Sequence, residues 1–451
     1  MRILVGNLIS RIETDNPGLL KALVNLFAFP VPGHEYVQAF KLRHWDGKKY
    51  FINKAGNFRT GLLDRVLVEL KRIGCTPEIV QDFTYTPGTQ SPTIKDFDFY
   101  DYQKRVIDTA LEKRRCLVNS PTGSGKTLIM AGLLKALAPR KTLILFDEKG
   151  ILNQTYKFLT KNCKFTNVGA NSGDGLVKGQ IMLSTYQSLE KIFDDYRDSE
   201  VLMVDEVHKF CKGEVTTAAI NSFPAAVYRY GFTATLPDKP IYLYELEGAF
   251  GSIQTTRTTQ ELIEDQKLSK PIIQILNYAP SGDFSDLSYQ ELYDEHIIQS
   301  EERNNMIVSI VSLAQMRSTQ GRIIILVKNL EHLNNLKRLL PDAFTIEGVN
   351  DTGERYEAIK KFLKSKKTSI LIGTSVLQTG INIEEITHVI NARGLKDKIP
   401  TIQGLGRGLR RADGKNHVYY YDFFDHVPYL DDHSKARIKH YKDEGHEIKR
   451  L

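Results

Sequence analysis

Residues 120–127 have the sequence Ser120-Pro121-Thr122-Gly123-Ser124-Gly125-Lys126-Thr127. The stretch lies between two apolar runs, 116–118 and 128–138, which predicts a strand, a tight glycine loop and a helix. Such a loop directs successive backbone N–H groups at one point, and the helix dipole adds positive potential there. Lys126 would then neutralise the β- and γ-phosphates of a nucleotide, while the Thr127 hydroxyl would bind Mg²⁺. The competing interpretation is an ordinary glycine-rich turn, and Ser120 stands where the strict pattern has glycine.

Composition limits the class of protein. The chain has 451 residues, which is too long for one core and sufficient for two or three domains. A net charge of +7 permits a polyanionic partner without requiring one. The four cysteines are scattered without a Cys-x-x-Cys pair, so we expect no zinc site and no disulfide framework, as in a reducing cytoplasm. Signal patterns and apolar runs of membrane-spanning length are also missing from the sequence, so we expect no membrane partner.

Residues 1–91 are predicted to form a small α+β domain, with helices after Asn16-Pro17 and at 62–73 and a strand pair across 37–53. A Pro-, Gly-, Ser- and Thr-rich stretch at 84–93 marks its boundary. Basic and aromatic residues interleave in the domain, which suits phosphate contact and base stacking. The candidates for DNA contact are Lys41, Arg43, Trp45 and Lys48, and the pattern continues through Lys49, Tyr50, Phe58 and Arg59. A half-buried hairpin with a solvated basic face would produce the same pattern.

Apolar strands alternate with helical periods from residue 97 onward, which predicts a parallel sheet covered on both faces. The predicted strands are 116–119, 142–147, 181–185, 201–205 and 228–233. A second alternation begins near Lys270, with strands at 322–327, 368–373, 388–391 and 418–422. It contains no second phosphate loop, and a charged tail from Asp432 suggests a solvated helix. We therefore predict an α/β protein whose domains are 1–91, 92–255 and 256–451.

Two adjacent carboxylates, Asp205 and Glu206, follow an apolar strand of the first lobe. Ligands bind at the carboxyl ends of such strands, so Asp205 could hold Mg²⁺ and Glu206 could polarise an attacking water. His208 could transmit the state of this site, with Thr233 and Thr235 at the end of the next strand as hydrogen-bond partners. A polar cluster at a strand end is the alternative.

Two further residue pairs suit a nucleotide. Tyr102 and Gln103 could stack on an adenine and pair with its edge, although helix packing explains them as well. In the second lobe, Arg407 and Arg410 are three residues apart, so on a helix they would share one face. An arginine fork directed across a cleft can clamp a transferring phosphoryl group. The alternative for these two is a basic helix on a solvated surface.

The motifs, taken in chain order, resemble those of the superfamily 2 helicases. The matching segments span residues 102–410 and are Tyr102-Gln103, 121–127, Asp205-Glu206-Val207-His208, Thr233-Ala234-Thr235, 374–382 and 403–410. The resemblance implies two RecA-like lobes, ATP and Mg²⁺ in the cleft, and a nucleic-acid strand across the tops of the lobes. It adds Gly380 and Gln403 to the nucleotide-binding residues, which are otherwise Tyr102, Gln103, Pro121, Thr122, Gly123, Ser124, Gly125, Lys126 and Thr127. It also implies backbone-phosphate contacts by Ser184, Thr185, Gln187, Thr235, Lys328 and Thr374.

Within the superfamily, the chain looks most like the phage UvsW-type branch-migration helicases, which are related to the XPB and RecG groups. The features behind this placement are His44-Trp45-Asp46-Gly47-Lys48 followed by Gly61-Leu62, and 255–262 followed by 265–268. This resemblance implies an ATP-dependent DNA helicase or translocase that remodels forks, Holliday junctions, D-loops or R-loops in recombination, replication and repair. It would act in the cytoplasm, which is the host's if a phage encodes it. The alternatives are an RNA helicase or RNA-remodelling ATPase and a DNA-binding scaffold with an inactive motor.

Overall fold

The computed structural model describes residues 1–88, 90–172, 175–211, 214–284, 286–318, 320–347, 352–374, 385–410 and 415–450. At 214–217, 352–353, 355–356 and 407 the backbone alone is described. These residues form two compact units, Met1–Ser120 with Gly125–Thr256 and Pro121–Ser124 with Arg257–Leu451. The first unit therefore joins the N-terminal region to the first α/β lobe. The division into three domains stays a prediction.

The N-terminal region contains a four-stranded sheet with the order β5-β2-β1-β6. Helix α1 begins at Pro17 because Asn16 caps it, accepting a hydrogen bond of 3.0 Å from Leu19 N. The predicted helix at 62–73 is confirmed as α3. The elements in chain order are β1 (Arg2–Val5), β2 (Ile9–Glu13), α1 (Pro17–Leu26), β3 (Ala28–Pro30), α2 (Gln38–Lys41), β4 (Lys48–Tyr50), β5 (Asn57–Arg59), α3 (Leu63–Arg72) and β6 (Glu78–Gln81).

The predicted strand pair across 37–53 is wrong. Helix α2 occupies its first half, and β4 pairs antiparallel with β3, so Lys49 lies opposite Phe29. Trp45 is half-buried and its Nε1 donates to Lys48 O at 2.9 Å, which makes it a local turn contact. Short segments with mixed polarity satisfy both helical and strand spacing, so the partner that is distant in sequence decides between them.

The first lobe is built on an eight-stranded sheet with the order β10-β9-β11-β8-β12-β13-β7-β14. Its strands are parallel except for the β9–β10 pair, and the five predicted strands are confirmed within one residue. Buried helices cover both faces, as the apolar strands predict. The elements are α4 (Asp101–Lys113), β7 (Arg115–Asn119), α5 (Lys126–Leu137), β8 (Thr142–Phe146), α6 (Lys149–Lys157), β9 (Val168–Asn171), β10 (Leu176–Val177), β11 (Ile181–Thr185), α7 (Phe193–Tyr196), β12 (Val201–Val204), α8 (Glu214–Asn221), β13 (Tyr228–Thr233), α9 (Pro240–Phe250) and β14 (Ile253–Thr255).

The second lobe has a seven-stranded parallel sheet with the order β17-β18-β16-β19-β20-β15-β21. All four predicted strands are present, so the α/β class with two parallel-sheet lobes and a small α+β region is confirmed. The elements are α10 (Thr259–Glu264), β15 (Lys270–Tyr278), α11 (Tyr289–Tyr293), α12 (Glu301–Arg317), β16 (Arg322–Leu326), α13 (Leu330–Leu339), β17 (Phe344–Ile346), α14 (Thr352–Lys364), β18 (Ser369–Gly373), β19 (His388–Asn391), α15 (Lys398–Gly408), β20 (His417–Asp425), α16 (Leu430–Asp443) and β21 (Ile448–Arg450).

The charged C-terminal tail is not a fully solvated helix, contrary to prediction. Helix α16 packs on β20, and its Arg437 is 1 % exposed while pairing with Asp422 at 3.0 Å. Tyr441 Oη donates to Oδ2 of the same carboxylate at 2.6 Å. A helix rich in charged residues can therefore bury one of them when a carboxylate on a neighbouring strand neutralises its charge. No described helix is long and apolar enough to cross a membrane.

Candidate nucleotide site

The predicted phosphate loop connects β7 to α5, which begins at Lys126. Gly123 and Gly125 adopt φ values of +85° and +84°, a left-handed conformation that other residues adopt only with strain. A Cβ atom on Gly125 would lie 2.4 Å from Gln103 Nε2, so this position also lacks space for a side chain. The loop thus has the backbone form that directs N–H groups toward an anion at a helix N-terminus.

The two predicted acidic residues lie at the end of β12 and differ in their surroundings. Lys126 Nζ lies 3.1 Å from Glu206 Oε1, whereas Asp205 Oδ1 has no hydrogen-bond partner among the described residues. Burial raises the pKa of Asp205 to about 6, although the charge of Lys126 opposes this shift. Burial also acts on Glu206, but Lys126 and His208 outweigh it and hold the pKa of Glu206 below its usual value. Glu206 has a φ of +46°, a strained backbone of the kind found at functional sites.

The proposed coupling residues form a continuous chain of contacts. His208 Nδ1 lies 3.4 Å from Glu206 Oε2 and 2.8 Å from Thr233 Oγ1. Thr233 Oγ1 in turn donates to Thr235 O at 2.9 Å and accepts from Thr235 N at 3.2 Å. The side chains of His208, Thr233 and Thr235 are all buried. The acidic end of β12 is therefore linked to the end of β13 without an intervening gap.

The donor set fits a hard divalent cation bound together with a nucleotide. Within the described part of the chain, Asp205 Oδ1 and Glu206 Oε2 are buried and have no hydrogen-bond partner. The half-buried Thr127 lies in the first turn of α5, next to Lys126. Among the described residues, no group of three His, Cys, Asp or Glu could hold a metal by itself. This suits Mg²⁺, which proteins bind through one or two carboxylates with substrate phosphates and water.

Sequence reasoning missed one cation beside these acids. Lys209 pairs with Asp147 at the end of β8, and its charge weakly opposes the rise in the pKa of Asp205 that burial causes. The position of Lys209 next to His208 in the sequence could have indicated that it lies near these acids.

The predicted adenine-binding residues are both buried on α4. Gln103 Oε1 accepts from Tyr100 N at 3.0 Å, which caps the helix, and its amide lies against the phosphate loop. The Tyr102 ring is 5 % exposed and stacks on Tyr100, with ring centroids 5.7 Å apart. The exposed ring at this place is Tyr100, which is therefore better placed than Tyr102 to meet a base. Adenine binding by Tyr102 and Gln103 stays a prediction.

The predicted nucleic-acid contacts of the first lobe separate into exposed and buried groups. Gln187 is exposed, and its amide donates to Asp147 O at 3.2 Å. Ser184 is fully buried, and its hydroxyl donates to Thr185 O and accepts from Asn171. Thr185 and Thr235 are 5 % and 4 % exposed. The Ser184 hydroxyl is used inside the lobe, and the contact of residues 184–187 with nucleic-acid phosphates stays a prediction.

In the N-terminal region, Lys41, Arg43 and Lys48 are exposed beside the half-buried Trp45. Phe58 is in the core, so it cannot stack on bases. Lys49 and Arg59 do not contribute free positive charge to the surface either, because both pair with Glu245 of α9. Of the interleaved pattern, the part around α2 and β4 remains available to a polyanion.

In the second lobe, Lys328 is exposed, with Nζ 4.2 Å from the centre of the Tyr293 ring, and Thr374 is 7 % exposed. Gln403 is half-buried on α15. Arg407 lies on α15, but its side chain and the whole of Gly380 are outside the described residues.

The prediction that Arg407 and Arg410 share one helix face is wrong. Helix α15 ends at Gly408, and Arg410 forms an isolated β-bridge with Leu268. Lys415 Nζ donates to Arg410 O at 2.6 Å, which holds the backbone in that extended position. Two glycines at 406 and 408 end the regular helix before the second arginine.

Two family models match the chain in the order of its lobes. Residues 96–238 match the type III restriction enzyme res subunit, and residues 302–412 match the helicase conserved C-terminal domain. Together they cover more than half of the chain. The first match contains the phosphate loop with Asp205 and Glu206, and the second contains Arg407 and Arg410.

Similar proteins confirm the resemblance to superfamily 2 helicases. The ATP-dependent DNA helicase uvsW of Enterobacteria phage T4 is 22% identical over 471 aligned positions, covering 94% of this chain and 93% of the relative. The DNA 3'-5' translocase XPB2 of Sulfurisphaera tokodaii is 25% identical and covers 83% of this chain and 87% of its own length. Dbp5 of S. cerevisiae, solved with RNA and ADP BeF3, has a TM-score of 0.56 at 18% identity over 78% of this chain and 89% of its own, which bears on the fold alone.

Proposed function

Because the chain is an ATP-dependent helicase of superfamily 2, we propose that it translocates on DNA and remodels branched DNA such as forks, Holliday junctions, D-loops and R-loops. This activity would serve recombination, replication and repair, in the cytoplasm of the host if a phage encodes the protein. The observation that carries the proposal is the buried chain from Lys126 through Glu206 and His208 to Thr233. It connects the lysine of the phosphate loop to Thr233 at the carboxyl end of β13.

The contacts of Lys126 suggest how nucleotide binding begins the cycle. Its Nζ is held by Glu206 at 3.1 Å, so nucleotide phosphates must compete with that carboxylate for the lysine. Once Lys126 turns to the phosphates, Glu206 loses its main cation and becomes a stronger proton acceptor for the attacking water. Asp205 and Thr127 would hold Mg²⁺, which supplies charge neutralisation of the β- and γ-phosphates. Arg407 and Arg410 are proposed to complete the site from the second lobe when the lobes close.

The departure of Glu206 from Lys126 would also alter the contact of its other oxygen with His208. Because His208 is bonded to Thr233, the change reaches the Thr233-Ala234-Thr235 segment through groups already within 3.4 Å of each other. We propose that this segment conveys the nucleotide state to the DNA-contacting surface. Gln187, Lys328 and the backbone amides near Thr185, Thr235 and Thr374 would hold DNA phosphates, which gives sequence-independent, salt-sensitive binding.

Branched DNA is proposed because the similarity to the phage DNA helicase includes the N-terminal region, where Lys41, Arg43 and Lys48 are exposed. We propose that this basic surface holds the duplex or junction beside the motor. The second candidate is RNA remodelling, since Dbp5 has a similar fold and was solved with RNA. Motor motifs that contact phosphates serve both nucleic acids, so substrate preference is the deciding measurement.

The test is ATP-dependent unwinding on a matched panel: a fork, a four-way junction, an R-loop, a linear DNA duplex and an RNA duplex. We expect the fork and the junction to be processed faster than the linear DNA duplex, and the RNA duplex least. The inactive control is Lys126→Ala. Equal rates on linear and branched DNA would refute the branched-DNA preference, and faster unwinding of RNA would favour the second candidate.

A further inference from the structure

A cavity of about 180 Å³ lies where the N-terminal region meets the first lobe. It is at the amino edge of the lobe's sheet, since Arg115 in its wall begins β7 and the phosphate loop follows the other end of that strand. The strand has five residues, so the cavity and the loop are separated by roughly 15 Å. We call this space the basic cavity, because Lys113, Arg114 and Arg115 line it in succession.

The three basic side chains have few acidic partners. Among the residues that line the cavity, Asp64 carries the one carboxylate, and it pairs with Lys113 at 2.9 Å. Arg115 Nη2 donates to neutral oxygens of Asn7, the carbonyl at 2.7 Å and Oδ1 at 2.8 Å. Burial lowers the pKa of Arg115 to about 10, and the charge of Arg114 adds to this shift. The cavity wall therefore carries an excess of positive charge.

The Arg114 side chain lies against two aromatic rings. Its guanidinium carbon lies 3.9 Å from the centre of the Tyr85 ring and 5.3 Å from that of Phe83. Its φ of +63° is unusual for a residue other than glycine. Within the described part of the chain, Arg114 Nε and Nη1 are buried and have no acceptor. Buried guanidinium nitrogens without an acceptor are destabilising, so a site that contains two of them favours an anionic ligand.

We infer that the basic cavity binds a phosphoryl group. A guanidinium presents a planar fork of donors that matches phosphate oxygens, and the two aromatic rings hold the Arg114 fork in one plane. The cavity is smaller than the roughly 300–1,000 Å³ of pockets for drug-sized ligands, which suits a single small anion. Lys113 and Asp64 are 40% and 51% exposed, so the cavity has access to solvent. The phosphoryl group comes either from a free phosphate anion or from a DNA backbone.

The first experiment measures thermal unfolding of the full chain in sodium phosphate and in sodium chloride of equal ionic strength, without nucleotide or Mg²⁺. All proteins carry Lys126→Ala, which removes the phosphate loop's lysine as a competing site. We expect phosphate to raise the melting temperature by about 2–4 °C. Adding Arg114→Met should abolish the rise, because methionine keeps the packing on the rings and removes the donors. Adding Arg197→Met, which removes an exposed arginine elsewhere in the lobe, should leave it intact.

The second experiment identifies the source of the phosphoryl group. Fork DNA affinity is measured against salt concentration for the same three proteins. If a DNA phosphate occupies the cavity, Arg114→Met weakens binding and reduces the salt slope by about 1, whereas Arg197→Met does not. If the ligand is free phosphate, DNA affinity is unchanged and the phosphate-dependent rise in melting temperature is still lost. An unchanged rise together with unchanged DNA affinity in Arg114→Met would overturn the inference.

Discussion

Two pairs of buried carboxylates in the first unit have opposite surroundings. Asp205 and Glu206 at the end of β12 share Lys126, and one oxygen of each has no hydrogen-bond partner among the described residues. Glu245 and Glu247 on α9 are each 4 % exposed. Glu245 pairs with Lys49 and with Arg59 Nη1 at 2.5 Å, and Glu247 pairs with Arg65.

The difference shows how a ligand site can be distinguished from a docking contact. Glu245 and Glu247 meet cations from the N-terminal region, so they fix that region to the first lobe. Arg65 also stacks on the ring of Tyr244 at 4.5 Å, and that ring packs against Phe29 with centroids 4.5 Å apart. Burial raises the pKa of Glu247 as well, but its partner Arg65 opposes that shift. Asp205 Oδ1 has no hydrogen-bond partner among the described residues, and burial raises the pKa of Asp205 to about 6. A buried acid with an unsatisfied oxygen is suited to an incoming cation.

The largest expected effect is on ATP turnover, which should depend on the cation beside Asp205 and Glu206 and not on the cations beside Glu245 and Glu247. Lys126→Ala removes the cation of the nucleotide site, so ATP turnover should fall by about 10³-fold or more. The matched control is Lys49→Ala, which removes a lysine from the docking pair and should leave turnover without DNA unchanged. The measurement is phosphate release at saturating ATP. Normal turnover in Lys126→Ala would mean that the loop does not bind the phosphates.

The next largest effect is on the free energy of unfolding, which should depend on the ion pairs of Glu245. Glu245→Gln leaves Arg59 and Lys49 without their carboxylate, so the free energy of unfolding should fall by about 2 kcal/mol. This is below the value for a fully buried pair because both cations remain partly exposed. Urea denaturation measures the change, with the exposed Glu190→Gln as control. A loss no greater than that of the control would show that the docking pair contributes nothing.

Replacing Asp205 should change the free energy of unfolding in the opposite direction to replacing Glu245. In buffer without nucleotide or Mg²⁺, Asp205→Asn should stabilise the protein at pH 8 by about 1–2 kcal/mol. The folded-state pKa, about 6, lies above the unfolded value of 3.8, so the carboxylate destabilises the fold above pH 6 and has no effect below 3.8. The gain should therefore shrink as the pH falls from 8 to 4. Unfolding curves at both pH values decide this, and destabilisation at pH 8 would contradict the assignment.

The smallest expected effect concerns the contacts that lead from Asp205 and Glu206 through Thr233 toward α9. This helix begins at Pro240, shortly after Thr235. Thr233→Val removes the hydroxyl that His208 contacts, so DNA stimulation of ATP turnover should fall about tenfold, with about 1 kcal/mol lost in stability. Thr233→Ser is the control, since it keeps the hydroxyl. Equal stimulation in Thr233→Val and wild type would remove this threonine from the coupling chain.

Sequence patterns predicted the lobes well and the surface poorly. Strands at 181–185 and 228–233 were predicted with their observed limits because central parallel strands are apolar on both faces, which few other structures require. The charged tail was misjudged because Asp422, on another element, compensates Arg437. The internal hydrogen bond of the Ser184 hydroxyl was not predictable, because polarity does not reveal whether a hydroxyl is bonded inside the lobe.

The sequence by itself determined the phosphate loop, because positive φ at Gly123 and Gly125 and the helix starting at Lys126 depend on residues within one short segment. It could not determine what Glu245 and Glu247 do, since their cations come from residues about 180 positions earlier. Tertiary structure decided which acids are compensated and which remain available to a ligand. The physical reason is that the conformation of this glycine loop is set by near neighbours, whereas the charge balance of a buried carboxylate depends on the residues that the fold brings beside it.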